Sequence, residues 1–325
     1  MQPNPFLIAE IAQGYEGNAK LVELFVRAAA NAGADAVKFQ VLAADDSALP
    51  DYQHYKLFKS LELPAAVWEK ALHETHQKGM LFFSDALGLG PVLLLNNIGI
   101  DGYKIHATNV NNIRLLKLVA QTKKPVLLST GGCEKKEVDR AIELLDGCAI
   151  TLMHGFQAEP TEIADNHLKR IKALQELYNL PIGFQDHTAG DSRLANYLPF
   201  VALGAGVTTI EKHLTLSRKA EMEDYVSAST PEEFAVWASM MREAVAALGE
   251  ERWILTEKER KYRMKVRRAV CTVEDISEGQ LMTEEILVLK RTSQQDVLYE
   301  FSEVVGRKAK HAINKNVPVR SIDLL

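Results

Sequence analysis

The chain has 325 residues, of which 47% are hydrophobic, enough for a sizeable core and a small second domain. Its net charge of −5 and isoelectric point near 6.0 argue against a nucleic-acid-binding protein. Three cysteines without a CxxC motif fit a reducing cytosol, and no apolar run reaches the length of a membrane span, so we expect a cytoplasmic protein without membrane contact.

Apolar runs of strand length alternate with helical patterns up to about residue 248. The predicted strands are residues 6–12, 36–41, 81–86, 102–107, 125–130, 149–155, 181–188 and 207–213. Helical patterns follow them, for example at 19–32, 65–78, 111–122 and 134–146. Eight such units predict a (β/α)8 TIM barrel. A doubly wound sheet is the alternative, but no GxGxxG motif follows the first strand.

Lysines recur inside two of the predicted strands. Lys38 and Lys104 each follow a helix that ends at glycine, in the related sequences GADAVK and GIDGYK. A lysine buried in an apolar strand is costly, so we expect a solvated barrel mouth that faces an anion. A solvated strand end without a ligand is the simpler alternative.

The segment from 41 to 63 is longer than a usual βα loop. It is polar and carries the rings of Tyr52, His54, Tyr55 and Phe58. This composition indicates a mobile flap. The alternative is a segment that only packs against the barrel.

Two histidines close consecutive predicted strands. His187 and His213 are 26 residues apart, with one helical segment between them. The strand ends of a parallel barrel meet at one rim, where barrel enzymes carry their chemistry. Together with the neighbouring Asp186 and Glu211, the pair predicts a divalent-metal site, although no HxH or HExxH motif is present.

The amino-acid composition of the chain changes after residue 249. A highly charged stretch reads as a connecting helix or linker, and short apolar pieces follow it. We predict a barrel at 1–250, a linker at 251–267 and a small second domain at 268–325.

A series of motifs, in order along nearly the whole chain, carries a family resemblance. They are AEI at 9–11, GADAVKFQ at 33–40, LLSTGG at 127–132, DHT at 186–188, EKHLTL at 211–216 and VVGRKAKHAI at 304–313. The chain resembles the N-acetylneuraminate (sialic acid) synthase family, whose barrel precedes a C-terminal antifreeze-like (SAF) domain of the β-clip type. The resemblance implies a transferase that condenses phosphoenolpyruvate with an aldose and releases phosphate. The aldose is an N-acylated hexosamine or another sugar aldehyde, and the product is a 2-keto-3-deoxy sugar acid.

The resemblance also implies roles for individual residues. His187 and His213 match metal ligands, with Mn²⁺ the expected ion and Mg²⁺ or Co²⁺ the alternatives. Glu10, Glu211 and Lys104 match catalytic groups. The positions that match substrate-binding residues are Lys38, Lys104, Ser129, Gln157, Gln185, Asp224 and Arg291. In the family that arginine reaches the partner subunit's barrel, which implies a domain-swapped homodimer.

Several departures cluster around the expected substrates. Asp85 stands where the family has a phosphate-binding threonine, and Ala107 and Gln185 replace other hydroxyl groups. Glu159 replaces a tyrosine on the acceptor side. The expected metal ligands are thus present, whereas the acceptor pocket and part of the phosphate pocket have other residues. This difference predicts an acceptor other than N-acetylmannosamine.

Two other functions remain open from the sequence. The barrel could act as an aldolase or lyase on a keto acid, with a Schiff base on Lys104 or Lys38. It could also be a non-catalytic protein that binds a sugar acid, although such a protein would not need the histidine pair.

Overall fold

The structure, a computed structural model, describes residues 4–249 and 252–325. The chain forms two compact units, residues 1–250 and residues 251–325. The predicted boundary between barrel and linker, at 250 and 251, lies outside the described residues.

The first unit is a closed barrel of eight parallel strands in sequence order, with β8 paired back to β1. The strands are β1 (Phe6–Ala12), β2 (Ala36–Leu42), β3 (Leu81–Leu87), β4 (Gly102–Ile105), β5 (Val126–Ser129), β6 (Ile150–Gly155), β7 (Ile182–Asp186) and β8 (Thr209–His213). Each strand begins and ends within two residues of its predicted bounds. The prediction of a (β/α)8 barrel is therefore confirmed.

Helices surround the barrel. They are α1 (Ala19–Asn31), α2 (Ala44–Ser47), α3 (Tyr55–Leu61), α4 (Ala65–Gln77), α5 (Leu89–Ile98), α6 (Ile113–Thr122), α7 (Lys135–Leu144), α8 (Arg170–Tyr178), α9 (Leu198–Gly204) and α10 (Pro231–Leu248). In α1, the side chain of Asn18 accepts a hydrogen bond from the Lys20 amide and caps the helix. Val22, Phe25 and Ala29 recur at helical spacing and are buried, which fixes the inward face of α1.

The lower part of the barrel interior is apolar and closed. Ile8, Phe83, Leu127 and Met153 form one buried cluster there. Gly102 makes room for Phe83, since a Cβ at that glycine would lie 2.2 Å from the Cε1 atom of the ring. Because side chains alternate along a strand, the next inward position on each strand lies nearer the carboxyl ends, where polar residues begin.

The segment predicted as a flap contains α2 and α3. Its residues Tyr52, His54 and Phe58 line the cavity at the barrel mouth. The segment is therefore a wall of the cavity, and its mobility stays a prediction.

A buried ion pair lies on the outer face of the barrel. Lys212 donates hydrogen bonds to Asp186 Oδ2 at 2.8 Å and to the Ala195 carbonyl at 3.0 Å. Neither charged side chain is accessible to solvent. The pair ties β7 to β8 beneath the helical layer.

The second unit is small and has its own core. It begins with α11 (Glu257–Val266), in the segment predicted as a connecting helix or linker. The antiparallel strands β9 (Ala269–Thr272) and β10 (Leu287–Lys290) follow. Its buried residues include Val270, Met282 and Val304. Within residues 4–249 and 252–325, every helix is too short or too polar to cross a membrane.

We expect Lys212→Met to destabilise the barrel by about 3–5 kcal/mol, because it leaves the buried Asp186 carboxylate without its counter-charge. The double variant Lys212→Met/Asp186→Asn removes the charge and keeps an oxygen for the Thr188 amide. It should recover more than half of the loss in urea unfolding. A double variant no more stable than the single one would contradict this account.

Candidate active site

A cavity of about 550 Å³ opens at the carboxyl ends of the barrel strands. Its volume is that of a small-molecule site. Eight residues predicted from the sequence line it together: Glu10, Lys38, Lys104, Gln185, His187, Glu211, His213 and Asp224. The barrel thus gathers the residues that the chain spreads over more than 200 positions.

Three other predicted residues lie elsewhere. Ser129 is buried and accepts a hydrogen bond from Gln185 Nε2 at 2.9 Å. Gln185, which covers Ser129, lines the cavity in its place. Gln157 lines a separate pocket of about 350 Å³, together with Cys133 and His154. Arg291 is an exposed residue of the second unit.

The floor of the cavity is a cluster of paired charges. Lys38 contacts the carboxylates of Glu10 and Asp85, and its Nζ atom lies 3.8 Å from Glu211 Oε1. Lys104 Nζ lies 2.8 Å from both carboxylate oxygens of Glu211. The lysines are only 2% and 3% exposed. The expectation of a solvated mouth is therefore wrong: both lysines are held by the protein's own carboxylates.

Burial and pairing set the proton positions in this cluster. Burial raises the pKa of Glu10 to about 8, although Lys38 opposes the shift. Burial acts in the same direction on Glu211, but Lys104 and Lys38 lower its pKa to about 2. For Lys38, burial favours the neutral amine, yet Asp85 and Glu10 raise the pKa above its ordinary value. At neutral pH Glu10 thus holds a proton, and Lys38 keeps its charge.

The two histidines meet above this floor. His187 Nε2 and His213 Nε2 are 3.2 Å apart. Burial lowers the pKa of His213 to about 3 and the pKa of His187 well below its usual range, so both rings are neutral at neutral pH. Two nitrogens bound to one metal ion at about 2.1 Å lie about 3.0–3.4 Å apart, so the pair fits a divalent ion.

Of the two carboxylates predicted near the histidines, one is where it was expected. Burial lowers the pKa of both rings, and the charge of Glu211 opposes this shift in each of them. Asp186 points to the outer face of the barrel and pairs with Lys212, because neighbouring side chains of a strand face opposite sides. Instead, Glu159 on the loop after β6 brings a carboxylate oxygen to the histidines, with the three ligand atoms within 4.8 Å of one another. The sequence placed Glu159 on the acceptor side, and no spacing signal links it to His187 and His213.

Phe156 is a further cavity residue that the sequence did not reveal. Its ring centroid lies 4.4 Å from that of His187, and its backbone has a φ of 57°. It therefore packs against one histidine and forms an apolar wall of the cavity.

Comparisons with known proteins identify relatives of this chain. The model of the NeuB family matches residues 25–252. An uncharacterized protein of Methanocaldococcus jannaschii is 32% identical over 94% of this chain and 90% of its own length. The pseudaminic acid synthase of Campylobacter jejuni is 29% identical over 95% of this chain and 93% of its own length. The crystal structure of N-acetylneuraminic acid (sialic acid) synthetase from Leptospira borgpetersenii has a TM-score of 0.76 at 26% identity, covering 81% of this chain and 93% of that one.

We expect Glu10→Gln to flatten the pH dependence of stability between about pH 5 and 8. The folded chain holds a proton on Glu10 up to its pKa of about 8, far above the unfolded value of 4.5. Stability therefore falls as pH rises from the unfolded value to the folded one, by up to about 1.4 kcal/mol per pH unit, and levels off above pH 8, and glutamine removes the fall.

Urea unfolding at pH 5, 6.5 and 8 measures this slope. The matched control is Glu16→Gln, which changes an exposed carboxyl group nearby in the sequence and should keep the wild-type slope. An unchanged slope in Glu10→Gln would show that Glu10 is already ionised at neutral pH.

Proposed function

Because the chain belongs to the NeuB family, we propose that it condenses phosphoenolpyruvate with a sugar aldehyde to give a 2-keto-3-deoxy sugar acid. C3 of phosphoenolpyruvate forms a bond to the aldehyde carbon, water adds at C2, and phosphate leaves with cleavage of its C–O bond. The observation that carries the proposal is one cavity that joins a neutral histidine pair to two buried lysines.

His187 and His213 would hold the divalent ion, which we take to be Mn²⁺, with Mg²⁺ or Co²⁺ as alternatives. Their neutral rings and converging Nε2 atoms fit such an ion. When bound, the ion supplies Lewis-acid polarisation of the aldehyde oxygen.

The lysines would bind the donor through its carboxylate and phosphate. Glu211 holds the Lys104 ammonium in place through both carboxylate oxygens. Glu10 carries a proton at neutral pH and stands beside Lys38, so it can give or take a proton at the floor. Asp224 also lines the cavity, where its carboxylate would accept hydrogen bonds from acceptor hydroxyl groups.

One observation favours a second candidate. The Lys38 ammonium group already contacts Asp85 and Glu10. The floor therefore offers no net positive charge to a donor with several negative charges. A keto acid carries a single carboxylate and would meet less repulsion, which favours an aldolase or lyase. A Schiff base on Lys38 is disfavoured, because the carboxylates raise the pKa of its amine.

The second unit enters the proposal through Arg291. We infer an antifreeze-like domain whose arginine acts on the partner's barrel in a homodimer, as the family resemblance implies. An arginine can fork onto two oxygens of an acceptor. The three free cysteines, Cys133, Cys148 and Cys271, fit the reducing cytoplasm in which we place the reaction.

We expect the wild-type protein to release phosphate from phosphoenolpyruvate when Mn²⁺ and a suitable aldose from a panel are present. His187→Ala and His213→Ala should each lose most turnover and weaken metal binding about 10-fold or more. His76→Ala is the matched control, since this exposed histidine of α4 pairs only with Asp101. A wild type that adds pyruvate to the aldose but releases no phosphate would exclude the synthase and support the second candidate.

Mixing two inactive full-length variants tests the role of Arg291. Arg291→Ala and His213→Ala should each be inactive alone. If Arg291 acts in trans and subunits exchange, a 1:1 mixture should regain about one quarter of wild-type activity, because half of the dimers carry one intact site. No recovery after refolding the two chains together would contradict the action of Arg291 in trans, and a monomer in light scattering would contradict the homodimer.

A further inference from the structure

Glu159 is held beside the histidine pair by a buried serine. Its Oε2 atom lies 3.9 Å from His187 Nε2, and its Oε1 atom accepts a hydrogen bond from the Ser227 hydroxyl. Ser227 is completely buried, and its Oγ atom also lies 3.1 Å from the His187 carbonyl oxygen. The Ser227 side chain thus contacts the Glu159 carboxylate and also the backbone of His187, a predicted metal ligand.

The loop that carries Glu159 is fixed on both sides of this residue. The Thr161 amide donates a hydrogen bond to the His187 carbonyl at 2.8 Å. The Thr161 hydroxyl donates to the Ala158 carbonyl at 2.7 Å, which closes the loop around Glu159. The carboxylate is therefore brought to the histidines by ordered backbone, while 34% of its side chain stays accessible from the cavity.

We propose that Glu159 is a third protein ligand of the divalent ion and that Ser227 is the positioning residue that turns its carboxylate toward His187 and His213. The inference rests on the proposed function, which requires the ion. It goes beyond the family resemblance, which assigns the two histidines to the metal and places Glu159 on the acceptor side.

Two imidazoles and one carboxylate form a ligand set suited to first-row divalent ions, with positions left open for other oxygens. A third protein ligand would hold the ion before any substrate arrives. The negative charge of Glu159 would also offset part of the charge of the ion, which two neutral histidines cannot do. The carboxylate of this loop thereby becomes part of the metal centre, and Asp224 remains to contact the acceptor.

Metal binding tests this role without reference to turnover. Metal-free full-length protein is titrated with Co²⁺, with calorimetry for affinity and visible absorption for the ligand field. Glu159→Gln should weaken Co²⁺ binding about 10-fold or more and change the absorption bands. Ser227→Ala should weaken binding less, and Ser227→Thr, which keeps the hydroxyl, should restore it.

Glu162→Gln is the matched control, because it neutralises an exposed carboxylate of the same loop that is not grouped with the histidines. It should leave the Co²⁺ affinity and spectrum unchanged. Thermal melting without metal shows whether each variant folds, and Glu159→Asp, which keeps the charge on a shorter side chain, replaces Glu159→Gln if the latter does not.

Wild-type affinity and spectrum in a folded Glu159→Gln would overturn the inference and return Glu159 to the acceptor pocket. Equal losses in Glu159→Gln and Glu162→Gln would also overturn it, since the effect would then reflect the overall charge of the loop. If phosphate release by the wild type is found while Glu159 proves irrelevant to Co²⁺, the inference alone fails. If Glu159 controls Co²⁺ binding but no aldose gives phosphate, the proposed synthase fails and the metal site stands.

Discussion

The contact of Lys38 with acidic side chains from two neighbouring strands is the constraint on which the site depends. An ammonium group inside a barrel is tolerated only when it is paired, and here Glu10 of β1 and Asp85 of β3 pair with a lysine of β2. Glu211 then joins this group to Lys104 across the barrel. The floor therefore has a fixed charge balance before any ligand enters.

Family membership predicts the residues of the metal end, whereas the charge balance of the floor is a feature of this chain. The family resemblance assigns the histidine pair and both lysines to a sugar-acid synthase site, whereas Asp85 puts a carboxylate on the lysine that would meet the donor. A donor with several negative charges must displace that carboxylate or bind beside it. The histidine pair and the charge of the floor are thus separate features of the site. The charge of the floor determines which donor can bind.

Much of the fold followed from the sequence, because apolar runs and helical patterns alternate eight times and parallel strands leave few alternatives. The positions of His187 and His213 followed from the same pattern, since both close strands of one barrel. The alternation of side chains along β7 would also have placed Asp186 on the outer face. The pairing of Lys38 with Asp85 depends on the register of adjacent strands, and the position of Glu159 depends on an irregular loop. Neither leaves a periodic signal in the sequence.

The apolar cluster beneath the floor has a kinetic consequence. Ile8, Phe83, Leu127 and Met153 close the barrel from below, and the cavity opens at the strand ends. In the reaction that we propose, both substrates would use this opening, and the substrate that contacts Lys104 on the floor would lie beneath the other. A closed floor of this kind favours ordered binding, in which the deeper substrate enters first and the product leaves through the opening by which the second substrate entered.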